Sequence, residues 1–309
     1  MSTAIFYDRH GGVDVLRVGD EPVPAPGEGE IVVTNRVVGV NPADVKKLAG
    51  AFGGSSDAFP QVLGFEAAGV VESVGEGVEG ISVGDEVVWS GTGAQREKSV
   101  VKAAKAQVKP ANVPFEQAAV LPVAASAAFS ALVQAGVGDK DVVLVHGASG
   151  GVGSAAVQIA KALGARVVAA ASERNHDYVQ GLGATPVTYG TGLVDAVRAL
   201  PDGLADVTAV VDTVGSSETV AQTVELLGAD GLERDGKPRA VTLVESQESL
   251  AAGIASKVSQ KGALAEVLAL AEAGLLSSEI SARFPLVEAA RAVEQVAGGH
   301  VRGKVVLEV

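Results

Sequence analysis

The stretch DVVLVHGASGGVGSAAVQIAKALGARVVAAAS, residues 141–172, leaves few folds open to the chain. Asp141–His146 is a short apolar run of strand character, and it enters a turn containing Gly147, Gly150 and Gly153. Beyond the turn, Val152, Ala155, Ala156, Ile159, Ala160 and Leu163 recur at i, i+3, i+4, i+7, i+8 and i+11. That spacing lays one apolar stripe along a helix. Gly164 ends the helix, and residues 165–172 (ARVVAAAS) read as the next strand. Strand, glycine turn, helix and strand in this order form a βαβ unit, whose crossover requires a parallel sheet.

The glycine turn fits two chemistries. GASGG from Gly147 is a G-x-S-x-G, the strained elbow that presents a nucleophilic serine, here Ser149. A hydrolase needs a histidine base and an acid as well. His176 and His300 are the histidines that follow, and Asp206 and Asp212 offer the acid. The competing reading is a phosphate cradle made by Gly147, Ser149, Gly150, Gly151, Val152 and Gly153. One glycine permits the tight turn, one lets the backbone approach a diphosphate, and Gly153 permits close helix–strand contact. The helix N-terminus adds unpaired N–H donors and a partial positive charge, worth up to ~2 kcal/mol toward an anion. The position between strand and helix favours the cradle.

The end of the second strand then selects the nucleotide. An enzyme for NAD usually carries an acidic residue there for the ribose hydroxyls. This chain has Ser172, Glu173, Arg174 and Asn175. Ser172 is a donor, and Arg174 offers bidentate phosphate recognition, so the expectation is NADPH. Glu173 opposes it unless its side chain turns to solvent, and a solvated Glu173–Arg174 pair is the alternative.

The alternation continues with a helix near 176–182, ATPVTYG, a helix near 192–200 and VTAVVDTVG at 207–215, as in a doubly wound sheet. The first third is different. Residues 30–40, 67–75 and 85–89 are valine-rich and broken by glycine and proline, which reads as a small, strongly bent β domain. The change falls near residue 120. Residues 117–138 carry no charge and are long enough for a bilayer, but alanine, Pro122 and several hydroxyls make a buried small-residue helix the better reading. The net charge of −13 argues against nucleic acid. The absence of cysteine excludes disulfides, thiolate nucleophiles and Cys-ligated zinc. Residues 1–12 show no secretory signal pattern, consistent with a cytoplasmic protein.

Taken together, GGVDVLRVGDEPVPAPGEGEIVV, VGVNPADVKKLAG, LGFEAAGVVESVGEGVEGISVGDEVV, LVHGASGGVGSAAVQIAKALGA, VVDTVG and FPLVEAARAVEQVAGGHVRGKVVLEV resemble the zinc-independent quinone oxidoreductases of the medium-chain dehydrogenase/reductase superfamily. The resemblance implies an α/β protein in which a GroES-like β-barrel catalytic domain (1–122 and 263–309) is interrupted by a Rossmann NADPH-binding domain (123–262). It implies hydride transfer from NADPH to a quinone or α,β-unsaturated carbonyl in a homodimer. A non-catalytic NADPH-binding sensor is the alternative, and a serine hydrolase using Ser149 a remote one. In zinc-dependent relatives a Cys and a His stand where this chain has Asn41 and Phe65, so no metal is expected.

By the same resemblance, Asn41 is a cleft residue near the nicotinamide and serves both catalysis and cofactor binding. Asp44 and Lys46 continue its motif. Lys46 is either a donor to a developing oxyanion or the partner of Asp44 in a structural ion pair. Tyr7 is a weaker donor candidate. Tyr189 matches a position near the adenosine 2′-phosphate, and Val214 lies where the chain passes the nicotinamide. Arg302 and Lys304 sit in an RGK turn, with a role in the electrostatics of the cleft or at the surface. Residues 226–246 match the family poorly and carry no assignment.

Overall fold

The computed structural model describes residues 1–52 and 58–309. The chain divides into two compact units, Met1–Val123 with Ser278–Val309, and Ala124–Ser277.

The spine of the first unit is the long strand Glu30–Val40. Along one edge it pairs with Glu66–Val74. Along the other, its first half pairs with Lys98–Lys102 and its second half with Lys304–Glu308. A strand that changes partner midway must bend, and register shifts at Val32/Val33 and Asn35/Val37 supply the bend. Glu86–Ser90 and Ala106–Val108 extend the sheet beyond Glu66–Val74, and Ile280–Pro285 joins Lys304–Glu308 in parallel. Ser2–Tyr7 forms a second sheet between Leu16–Glu21 and Gln61–Val62.

The inner faces bury Ile31, Val33, Val38, Trp89 and Leu307. Trp89 is accommodated because its indole N–H donates to Asn35 Oδ1 at 3.1 Å. The Asn35 amide donates onward to Ser99 Oγ at 2.9 Å. A buried aromatic with a polar handle needs such a partner.

The second unit is the doubly wound sheet. Its six parallel strands run Thr185–Thr188, Arg166–Ala171, Val142–His146, Ala209–Asp212, Ala240–Thr242 and Ala255–Ser256 across the sheet. The chain starts in the middle, winds to one edge, then returns and winds to the other. The strand order therefore reverses beside Val142–His146, and ligands bind at the carboxyl ends of strands at such a point. Val142–Val145 are all at most 1% exposed, as expected for strands covered on both faces.

Three expectations change. The domain boundary expected at 262/263 lies at 277/278, because the helix Ala263–Glu272 packs on Ser126–Gln134 of the second unit. The strand read at 207–215 is shorter: only Ala209–Asp212 pair, because the Asp212 carboxylate captures the next N–H groups and turns the chain. The unassigned segment 226–246 contains a hairpin, Glu233–Arg234 with Lys237–Pro238, turning through Asp235 (φ 55°) and Gly236 (φ 73°). It then supplies the sheet strand Ala240–Thr242.

The uncharged run is helical, with a π-turn at Leu121–Ala125 that contains Pro122. Phe115–Gln134 has the length and mean hydropathy, 1.4, of a membrane span, and 56% of that stretch is buried inside the protein. Ala128, Ser130, Ala131 and Leu132 are its buried residues in the last helix.

Candidate active site

The glycine turn leaves Val142–His146 and enters the helix Gly151–Ala162. Gly147 adopts φ +71°, and a Cβ there would lie 2.4 Å from Thr213 Oγ1. At Gly153 a Cβ would lie 2.1 Å from the Gly147 carbonyl oxygen. Neither position admits a side chain, while Gly150 has ordinary extended geometry and a Cβ there would make only an ordinary contact, 3.5 Å from the Gly147 carbonyl oxygen. No side chain caps the helix, so the N–H groups of Gly151, Val152 and Gly153 have no intrahelical partner. That is the arrangement of an anion cradle.

The turn after Ala209–Asp212 closes onto this cradle. Asp212, 1% exposed, accepts from Val214 N at 2.8 Å, Gly215 N at 3.0 Å and Thr219 Oγ1 at 2.9 Å. Thr213 Oγ1 donates to the His146 carbonyl at 2.8 Å. Val214 is thereby placed against Gly147 with its side chain half exposed. His146 lies beneath, and burial lowers its pKa to about 4 against the opposing pull of Asp212.

The second-strand residues collect beside the same turn. Asn175 Nδ2 donates to Ser149 Oγ at 3.1 Å and to Ser172 Oγ at 3.0 Å. Tyr189 N–H donates to the Ala171 carbonyl at 3.3 Å, so this largely exposed tyrosine stands next to Ser172. Arg174 and Glu173 are both exposed, and neither forms an ion pair among the described residues. Ser149, Ser172, Asn175 and Tyr189 are therefore together, with the exposed Arg174 in the same turn as Asn175.

Within the second unit, the hydrogen-bond contacts of the histidines go to threonines and not to Ser149. His176 Nε2 lies 3.4 Å from Thr188 Oγ1, and His146 Nε2 lies 3.5 Å from Thr223 Oγ1. Within its own unit, His300 contacts the Gly298 carbonyl. Asp212 is committed to its own turn, so within the second unit it forms no triad with Ser149.

The first unit holds a buried polar cluster. Asn41, 2% exposed, precedes the helix Pro42–Leu48. Its Nδ2 donates to Glu66 Oε1 at 2.8 Å, and its Oδ1 accepts from Lys304 Nζ. Lys304 Nζ also donates to Glu66 Oε1 at 2.9 Å and to the Val40 carbonyl at 3.2 Å. Glu66 Oε2 accepts from Val123 N at 2.7 Å. Asp44 is fully buried and accepts from Asn41 N at 2.7 Å. Burial pushes its carboxyl up to about 7, and Glu66 adds to the rise. The Asn41 N–H and the Lys304 charge pull the other way.

Of the sequence-derived set, Asn41 and Asp44 come together here and Lys46 does not. Lys46 is exposed and forms no ion pair with Asp44. Tyr7 is buried, with its hydroxyl donating to Gln61 Oε1 at 2.6 Å. Glu66 joins this buried cluster with no sequence expectation pointing to it, and Lys304, for which the sequence offers a cleft or a surface role, is 4% exposed. A charged residue inside a valine-rich strand end, KVVLEV, was the available signal: lysine is almost never buried unless paired.

Two family models match the chain: the alcohol dehydrogenase GroES-like domain over residues 27–113 and the zinc-binding dehydrogenase model over residues 182–307. A solved NAD-dependent alcohol dehydrogenase is 30% identical, with a TM-score of 0.84 over 99% of each chain. The quinone oxidoreductase of Escherichia coli, solved with NADPH, is 27% identical and has a TM-score of 0.84 over 99% of this chain and all of the other. The chain belongs to the medium-chain dehydrogenase/reductase superfamily. A curated relative, the 2-methylene-furan-3-one reductase of Solanum lycopersicum, is 34% identical over 71% of this chain. The chain spans 52–58% of the length of the curated relatives it matches first.

One of those family models is named for zinc, and the donor set here does not fit that ion. Asn41 and Phe65 stand where the resemblance implies the Cys and His of a zinc-dependent enzyme, and a phenyl ring has no ligand atom. The oxygens of Asn41 and Glu66 already hold the Lys304 ammonium. Among the described residues, no group of three or more His, Asp or Glu side chains is placed to hold a metal.

Proposed function

We propose that this protein is an NADPH-dependent oxidoreductase that passes a hydride to a quinone or an α,β-unsaturated carbonyl without a metal. The observation that carries the proposal is the cradle at the switch point. Gly147 and Gly153 exclude side chains, three helix-terminal N–H groups have no intrahelical partner, and Ser149, Ser172, Asn175 and Tyr189 gather beside them. A relative solved with NADPH and a relative named a 2-methylene-furan-3-one reductase agree with it.

When bound, NADPH would supply the reducing hydride. The N–H groups of Gly151, Val152 and Gly153 would hold its diphosphate, and Ser172 with Arg174 the phosphate on its adenosine ribose. Val214, fixed by Asp212, would border the nicotinamide. On the substrate side Asn41 is the polar group we assign to the acceptor, its amide orientation set by Glu66 and Lys304. Asp44 holds the Asn41 backbone, and the exposed Lys46 is the cation we assign to developing negative charge. A conjugated acceptor is electron-poor enough for positioning to provide much of the catalysis. We further propose a cytoplasmic homodimer that binds neither nucleic acid nor membrane.

The test is steady-state oxidation of NADPH with a panel of quinones and conjugated enones, using chelator-treated protein. Turnover of at least one acceptor is expected. Tight NADPH binding with no turnover of any acceptor would instead support a non-catalytic nucleotide sensor.

A further inference from the structure

The Asn175 amide sits between two hydroxyls that come from different strand ends. Ser149 belongs to the glycine turn, and Ser172 follows the strand Arg166–Ala171. Asn175 Nδ2 is 3.1 Å from the first oxygen and 3.0 Å from the second. A carboxamide nitrogen carries two hydrogens, so both are committed, one to each serine. Each serine oxygen is thus an acceptor here and still has its own O–H to donate. Neither O–H meets an acceptor among the described residues.

Two hydroxyl donors gathered around one nitrogen suit a ligand rich in acceptor oxygens, and a phosphate dianion has three. The neighbourhood also explains why neutral donors are useful. Glu173 is exposed in the same short turn as Arg174 and offsets part of the arginine's attraction for an anion. Donation by a serine does not depend on that balance.

We propose that Asn175 is a positioning residue for nucleotide choice. It turns the hydroxyls of Ser149 and Ser172 outward as a paired clamp for the phosphate on the adenosine ribose, and it does not touch the ligand itself. Ser149 thereby reads the ribose phosphate rather than the diphosphate. The inference rests on the NADPH reading above.

NADPH and NADH are titrated into the wild type, Asn175→Ala, Asn175→Asp, the double variant Ser149→Ala/Ser172→Ala, and the triple variant. Asn175→Ala is expected to weaken NADPH about tenfold, the scale of one charged hydrogen bond, and to leave NADH within about twofold. NADH binding also serves as the check that each variant folds. In the double-serine background, adding Asn175→Ala is expected to change nothing further. Asn175→Asp, whose carboxylate can only accept, draws the serine protons inward and is expected to weaken NADPH more than alanine does.

Equal losses for both nucleotides in Asn175→Ala would reduce Asn175 to structural support and overturn the proposal. An unchanged NADPH-to-NADH ratio, or an Asn175→Ala effect that persists without the serines, would overturn it as well. Binding of neither nucleotide by the wild type would overturn the oxidoreductase reading and the clamp together.

Discussion

The glycine cradle and the Asn41–Glu66–Lys304 cluster are built by opposite means. The cradle comes from local chain: strand, turn and helix lie within residues 142–162, and its donors are backbone N–H groups that any sequence with the right glycines provides. The cluster is assembled from afar. Asn41, Glu66 and Lys304 are separated by 25 and 238 residues, and they meet because Glu30–Val40 pairs with both Glu66–Val74 and Lys304–Glu308. One site excludes side chains, and the other depends on three of them satisfying each other away from water.

That difference sets how each should fail. Lys304→Met gives the largest expected effect. It leaves Glu66 buried without its cation, and breaking a buried pair from one side costs about 3–5 kcal/mol. Urea denaturation should register the loss. A loss below about 1 kcal/mol would mean that water reaches the cluster.

The two regions should also answer pH in opposite directions. Asp44 has its folded pKa raised from 3.8 to about 7, so the folded state holds the proton more tightly. Its contribution to stability is greatest below pH ~4 and is lost as pH rises toward about 7. His146 has its folded pKa lowered from 6.5 to about 4. Its contribution is present above pH ~6.5 and is lost as pH falls toward about 4. Each group contributes at most a few kcal/mol across its window. Stability measured from pH 4 to 8 should lose the first dependence in Asp44→Asn and the second in His146→Gln. If both variants follow the wild-type slope, the burial argument fails for both regions.

Gly153→Ala tests the cradle. Its Cβ meets a backbone oxygen at 2.1 Å, and backbone cannot rotate away as a side chain can. Thermal melts should show a loss of about 1–3 kcal/mol, typical of overpacking, together with weakened NADPH binding. Normal binding in this variant would place the diphosphate elsewhere. The smallest effect is expected for Arg174→Ala, which should weaken NADPH relative to NADH by about 1.5 kcal/mol if a charged hydrogen bond is lost. Equal weakening of both nucleotides would show that Arg174 does not read the phosphate.

The same contrast explains what the sequence disclosed. The cradle was legible because its requirements are local and periodic: apolar strand, three glycines and a 3.6-residue stripe. Ser172, Arg174 and Asn175 followed because a parallel βαβ unit fixes where the second strand ends. The Asn175 bridge was not legible, since nothing in residue order tells that one amide reaches two serines. Glu66 was hidden because it reads as a polar residue at the start of a strand, and Lys304 because an RGK turn looks solvent-facing. Their burial is a property of the bent spine strand that brings both against Asn41. The second domain boundary was misplaced for a similar reason: Ala263–Glu272 belongs to whichever unit offers it an apolar partner, and Ser126–Gln134 does so.

The central claim is that the cradle delivers a reduced nicotinamide nucleotide to a conjugated acceptor. Stopped-flow mixing of the NADPH-loaded protein, freed of metal by chelator, with a quinone and with a conjugated enone tests it most directly. We predict a rapid, acceptor-dependent loss of the reduced-nicotinamide absorbance that survives chelation. Absorbance unchanged by every acceptor, with NADPH demonstrably bound, would contradict the account.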